Sequence, residues 1–231
     1  MHIKMIKVFG LPKLVWSIIF LCVQVINFGF LVGSMDYDYW FHQTWDYPDG
    51  FLIAPFKFKG SLLNTNRDLG DICDSGDSYK YCYEECNSHC DRFETWRNAG
   101  GAYVAFDTLG SILTVIISII LVLDGIKFKY LKKFMNVYTT GFLMIVVTFF
   151  HFLAFVIWAG TVKLKFDHCS HQIDYSDTKS VCGEGGASFA IFIFIWLFLS
   201  TPVYLFLARK VRMEELNEES NPPAQEPLAY N

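Results

Sequence analysis

Four long runs of this chain are apolar and almost free of charge, and the rest is arranged between them. They are Leu14–Gly33, Gly101–Leu123, Tyr138–Gly160 and Ala187–Ala208. A helix needs about 20 mostly apolar residues to cross the hydrocarbon layer of a bilayer, so each run predicts one span. The polar remainder falls into an N-terminal segment 1–13, a first loop 34–100, a short connection 124–137, a second loop 161–186 and a tail 209–231. A basic start before an apolar run also describes a signal peptide. The first run is longer than the usual apolar core of about 7–15 residues in such peptides, and Val32-Gly33-Ser34 is only a weak cleavage site, so a retained span is expected.

The first loop is too long for a bare connection and must carry structure of its own. Its aromatic first half has turn signals at Pro48-Asp49-Gly50 and Gly60. The short runs Phe51–Ala54 and Phe56–Phe58 read as strands between turns. From Tyr81 to Asn98 there is neither Pro nor Gly, which suits a short helix leading into the second span. The tail is acidic and contains Pro222, Pro223 and Pro227, a composition expected to be disordered.

Composition supports the membrane reading. The 231 residues are 53% hydrophobic and only 18% charged, against about 25% charged in ordinary soluble domains. A net charge of -4 gives no reason to expect nucleic acid as a partner; the bilayer is the first partner. The charges also predict sidedness. Lys4, Lys7 and Lys13, the lysines between the second and third spans, and Arg209, Lys210 and Arg212 all fall on one side of an alternating four-span chain. Basic flanks face the cytosol, so both termini are expected there and both loops outside, most simply at the plasma membrane.

The cysteines agree with that sidedness. Cys22 lies in the first span, and Cys73, Cys82, Cys86, Cys90, Cys169 and Cys182 lie in the two loops. Six extracytosolic cysteines suggest disulfides, with 15 full pairings open to them. Spacing does not choose among them: Cys73–Cys82 could staple a hairpin, Cys169–Cys182 could close the second loop, and Cys86 and Cys90 could then pair locally, reach the second loop or reach a partner chain. Structural zinc favours shorter paired spacings and reducing compartments, so no metal or other cofactor is expected. The acids Asp74, Asp77, Glu84 and Glu85 around these cysteines make the outer head electronegative. They are candidate interaction residues together with Trp40 and Trp45, which are expected at the membrane interface or in the core of a small sheet.

Candidate chemistry inside the spans is sparse. Gln24 and Asn27 share one face of the first span, Asp107 lies inside the second, and His151 sits in the middle of the third. Polar groups at such depth are expensive and mark either helix-to-helix hydrogen bonds or a path for ions. No phosphate-binding loop, metalloprotease helix or nucleophile elbow is present, so no enzyme is expected.

The layout resembles the claudin and peripheral-myelin-protein superfamily, which includes channel gamma subunits. The carrying features are four spans, a long first loop and a short second one, an early Trp (Trp40 or Trp45), Leu69-Gly70-Asp71-Ile72-Cys73 where the family has G-L-W-x-x-C, Cys82 eight residues further on, and Arg97 before the second span. The Trp of the family block is missing, and Cys86 and Cys90 are extra. The resemblance implies a four-transmembrane-helix bundle bearing a small disulfide-stapled, β-rich extracellular head, with Cys73 paired to Cys82 across its sheet. It also implies a structural or channel-auxiliary role, with a channel or a same-family copy as partner. The rival expectation is a pore or transporter lined by Gln24, Asn27, Asp107 and His151.

Overall fold

The computed structural model describes residues 7–8, 10–46, 56–64, 78–79, 91–125, 136–167, 170–172 and 180–220. Four helices dominate: α1 (Lys13–Met35), α2 (Asp91–Gly125), α3 (Val137–Thr161) and α4 (Gly185–Ser220). All four are long and apolar enough to cross a membrane. They run alternately up and down, and each packs on its chain neighbours, with α4 closing back on α1. Asn136 starts α3 by accepting the amides of Tyr138 and Thr139 on its side-chain oxygen, at 3.0 and 3.1 Å. This is the usual remedy for unpaired amides at a helix start.

The distribution of side chains is the reverse of a water-soluble bundle. Gln24, Asn27, Asp107, Thr114, Thr140 and His151 are buried, whereas Val25, Ile112, Phe149, Ile195, Phe198 and Leu199 are exposed. Apolar side chains turned outward and polar ones inward suit a lipid surrounding, where a polar group facing the tails has no partner.

The helix expected to lead into the second span is present from Asp91 on, whereas α4 differs from the sequence expectation. Helix α2 begins ten residues before the apolar run and enters it without a break. Helix α4 runs on to Ser220, where disorder was expected from residue 209. The reason is packing and charge together. Ala208, Val211 and Glu215 are buried, and Lys13 reaches both Asp124 (2.9 Å) and Glu215. Arg212 closes on Glu215 at 2.8 Å. One lysine thus ties the start of α1 to the end of α2 and to the extension of α4.

At the opposite end sits a small sheet. Besides a short hairpin before α1 (β1, Lys7–Val8; β2, Leu11–Pro12), the strands are β3 (Phe41–Asp46), β4 (Phe56–Gly60), β5 (Ser170–Gln172) and β6 (Cys182–Gly183). Strand β3 is central: β4 lies antiparallel on one edge, and β5 and β6 share the other. The second loop is therefore part of the head, a role its sequence did not suggest. Strand β4 overlaps the expected run 56–58; the expected strand 51–54 lies outside the described residues. Two described cysteines remain: Cys22 is free and Cys182 is disulfide-bonded. The expected partners and pairings at Cys73, Cys82, Cys86, Cys90 and Cys169, and the acids Asp74, Asp77, Glu84 and Glu85, lie outside the described residues.

The sheet and bundle share one core. Trp40, Phe41, Leu62, Tyr79, Phe93, Trp96, Tyr103 and Trp158 form a continuous buried cluster. The Tyr79 hydroxyl donates to the Ser61 carbonyl at 2.9 Å, and burial pushes its pKa well above the ordinary value, so it remains a donor at neutral pH. Two close approaches need glycine. A Cβ at Gly100 would collide with the Leu62 carbonyl oxygen, and one at Gly186 would lie 2.7 Å from the Trp40 ring.

Candidate intramembrane polar site

Two ionisable groups that lie inside the apolar runs of neighbouring helices meet across the bundle. Asp107 of α2 and His151 of α3 are both fully buried. His151 Nδ1 lies 2.9 Å from Asp107 Oδ1 and 3.1 Å from Oδ2. Its other nitrogen, Nε2, lies 2.9 Å from the Ala190 carbonyl of α4. A carbonyl only accepts, so Nε2 must carry a hydrogen. Two proton placements then satisfy the Nδ1 side: an imidazolium donating to a carboxylate, or a neutral imidazole accepting from a protonated acid. Either way the pair is neutral as a whole, which is what a lipid-embedded site requires.

Helix α1 completes the site. Ser34 Oγ lies 3.1 Å from Asp107 Oδ2 and 2.8 Å from the Leu31 carbonyl, and it accepts from the Tyr103 hydroxyl at 3.1 Å. The indole of Trp40 donates to the Ser34 carbonyl at 3.1 Å. One chain of polar contacts therefore runs from the head through all four helices. Above it, Trp40 packs edge-on against Tyr103 and Trp158, with ring centroids 4.6 and 4.8 Å away. Trp40 was expected as an interaction residue placed at the membrane interface or in the core of a small sheet, and the core is where it lies. It is wholly buried, because its ring fills the joint between sheet and bundle, so it cannot serve as an exposed contact. Trp45 lies in β3, opposite Phe56 and His171.

The second polar layer lies deeper. Asn27 Oδ1 accepts from Trp196 Nε1 of α4 at 2.9 Å. Its amide nitrogen and that of Gln24 both approach the Met144 sulfur of α3, at 3.6 and 3.2 Å. Thioether sulfur is a weak acceptor, so these contacts are softer than the Asp107–His151 pair. Gln24 Oε1 is buried and has no partner.

Sequence reasoning found Asp107, His151, Gln24 and Asn27 but not their pairing. It missed Ser34, Tyr103, Met144 and the Lys13–Asp124–Glu215 tie. Depth was the available signal for the first pair. With the expected span ends at 101 and 160, Asp107 and His151 lie about 9 and 14 Å from the same side at 1.5 Å per residue. No such signal exists for Met144, an apolar residue in an apolar run.

No protein-family model matches the chain, and no curated protein does.

Proposed function

We propose that this is a four-span, claudin-like membrane protein that acts by holding on to another membrane protein, as a structural or channel-auxiliary subunit, and carries out no chemistry. In this reading both termini are cytosolic, and the head faces outward from the plasma membrane and makes the contact. The observation that carries it is how the intramembrane polar groups are used. Asp107, His151, Ser34 and Tyr103 are turned on one another and on helix carbonyls, beneath packed Trp and Tyr rings. Groups arranged so build a rigid mount rather than a path. The sheet seated on one end of the bundle supports the resemblance, and the cluster of acids and cysteines at 71–90 remains the preferred contact surface.

Affinity capture from gently solubilised membranes tests this. A stable partner should be retained by the whole chain and lost when Asp74, Asp77, Glu84 and Glu85 are neutralised together. A strictly monomeric chain with no such partner would end the reading. Thiol-reactive labelling of intact cells after reduction tests the sidedness, because loop cysteines should then react from outside.

The alternative, a pore or transporter, has one observation in its favour: Asp107 and His151 hold a proton between them across the bundle. It requires ion or proton flux through the purified protein in a bilayer, altered by Asp107→Asn. Flux at background level removes it.

A further inference from the structure

Among the described residues, one buried polar atom without a partner belongs to a residue that lines a groove, and its position says what would satisfy it. Between α1 and α2 the outer surface opens into a groove of about 390 Å³, lined by residues including Gln24, Phe28, Thr114, Ser118, Ile119 and Val122. Gln24 is fully buried at this groove, and its Oε1 has no hydrogen-bond partner. Ser17 and Ser111 also have a buried oxygen without a partner, but neither lines the groove.

The other polar groups of the lining have given their hydrogens away. Thr114 Oγ1 donates to the Ser111 carbonyl at 2.7 Å, and Ser118 Oγ donates to the Thr114 carbonyl at 2.8 Å. The Gln24 amide nitrogen is turned to Met144, and the Gln24 side chain also contacts the Tyr204 hydroxyl. Among the lining side chains, the acceptor left without a partner is Gln24 Oε1. A complementary occupant brings an N–H or O–H donor within an otherwise apolar body.

Depth narrows the choice. Gln24 is eleven residues from Lys13 and eleven from Met35, about 16 Å from either helix end at 1.5 Å per residue. The hydrocarbon layer is about 30 Å thick, so Gln24 sits at its middle. Headgroups and lipid hydroxyls stay at the interface, and the hydrocarbon core holds no water to take their place. A donor at that depth comes from a side chain carried there by another helix. Among the described residues, the exposed polar side chain nearest that depth is Cys22, a weak donor, so a second copy fits less well.

We infer that the α1–α2 groove is a docking site for a transmembrane helix of a different protein, one that presents an Asn, Gln, Ser, Thr or His donor at mid-bilayer to Gln24. The inference rests on the interaction-protein reading and adds to it a contact inside the membrane. Interhelical hydrogen bonds of this kind drive association in lipid, where apolar surface alone gives no preference between tails and protein.

The test uses the full chain in lipid vesicles, with energy transfer to three labelled leucine-based transmembrane peptides: one with a central Asn, one with the Asn near its end, and one all leucine. Dilution is set so that the peptides alone are monomeric. The central-Asn peptide should bind about 5–30-fold better than the other two, the span of 1–2 kcal/mol measured for such bonds. Gln24→Leu should abolish the preference. So should Ile119→Trp, which fills the groove from a lipid-exposed rim position and leaves the core untouched; its unfolding temperature serves as the folding control. Equal binding of all three peptides, or a preference that survives both substitutions, overturns the inference. So does self-association of the chain that the central-Asn peptide cannot displace. The peptides have nothing to offer the head, so failure here leaves the head-centred reading standing, and failure of head capture leaves this one standing.

Discussion

The bundle has two polar layers, and they are built differently. Near the head, Asp107, His151, Ser34 and Tyr103 form a set in which every buried polar atom faces a partner. At mid-depth, Gln24 and Asn27 share one sulfur, and Gln24 keeps an unpaired oxygen beside an open groove. In lipid a polar group always needs an answer. Where the chain supplies the answer itself, the group serves the fold; where it does not, the group is available to something else.

That contrast is open to measurement. The largest effect is expected at the upper layer. His151→Ala leaves Asp107 buried without its partner, and removing one half of a buried pair costs about 3–5 kcal/mol. Equilibrium unfolding in detergent should show the loss, and the double variant Asp107→Leu with His151→Leu should recover much of it. Two additive losses would mean that the residues do not act as a pair. Trp40→Ala should fall in a similar range, about 3–5 kcal/mol, since it empties the joint between sheet and bundle. A thermal scan followed by tryptophan fluorescence reads this, and a shift no larger than that of an exposed position would show that the head is not seated on the bundle.

Smaller effects belong to the far end and the lower layer. Glu215→Ala leaves Lys13 with Asp124 alone and takes away the Glu215 contact of Arg212, and it should cost about 1.5–3 kcal/mol, the range for hydrogen bonds to charged groups. Hydrogen exchange should then rise first in residues 209–220. Protection unchanged there would mean that the extension of α4 holds without its ion pairs. The smallest effect is expected at Gln24→Leu. It loses a soft sulfur contact and one to the Tyr204 hydroxyl but also removes an unsatisfied oxygen, so stability should stay within about 0.6 kcal/mol of the parent, the average value of an interhelical hydrogen bond. A loss as large as that at His151 would erase the difference between the layers.

Much of the architecture was legible in the chain because bilayer thickness acts on each span separately. A run such as Tyr138–Gly160 declares itself without reference to any other residue, and α3 spans Val137–Thr161. The polar residues inside the spans were legible for the same reason, since each stands out against its apolar neighbours. The head was harder. Strand β3 begins at Phe41 within a mixed aromatic and polar stretch that has no clear alternation, and it becomes a strand because β4, β5 and β6 pair with it. The end of α4 was misread because its acids and basic residues look solvated one by one, and only the arrival of Lys13 from α1 gives Glu215 a buried place.

The chain alone therefore determined four helices long and apolar enough to cross a membrane, their alternation, and Asp107, His151, Gln24 and Asn27 as groups needing partners. Length and hydropathy are local properties, and they are sufficient for that. Only the tertiary structure decided who answers whom: that His151 takes Asp107 and the Ala190 carbonyl, that Trp40 closes the core instead of facing a partner, and that Gln24 is left one bond short. A hydrogen bond between helices depends on depth and rotation at once, and an apolar run carries the first of these but not the second.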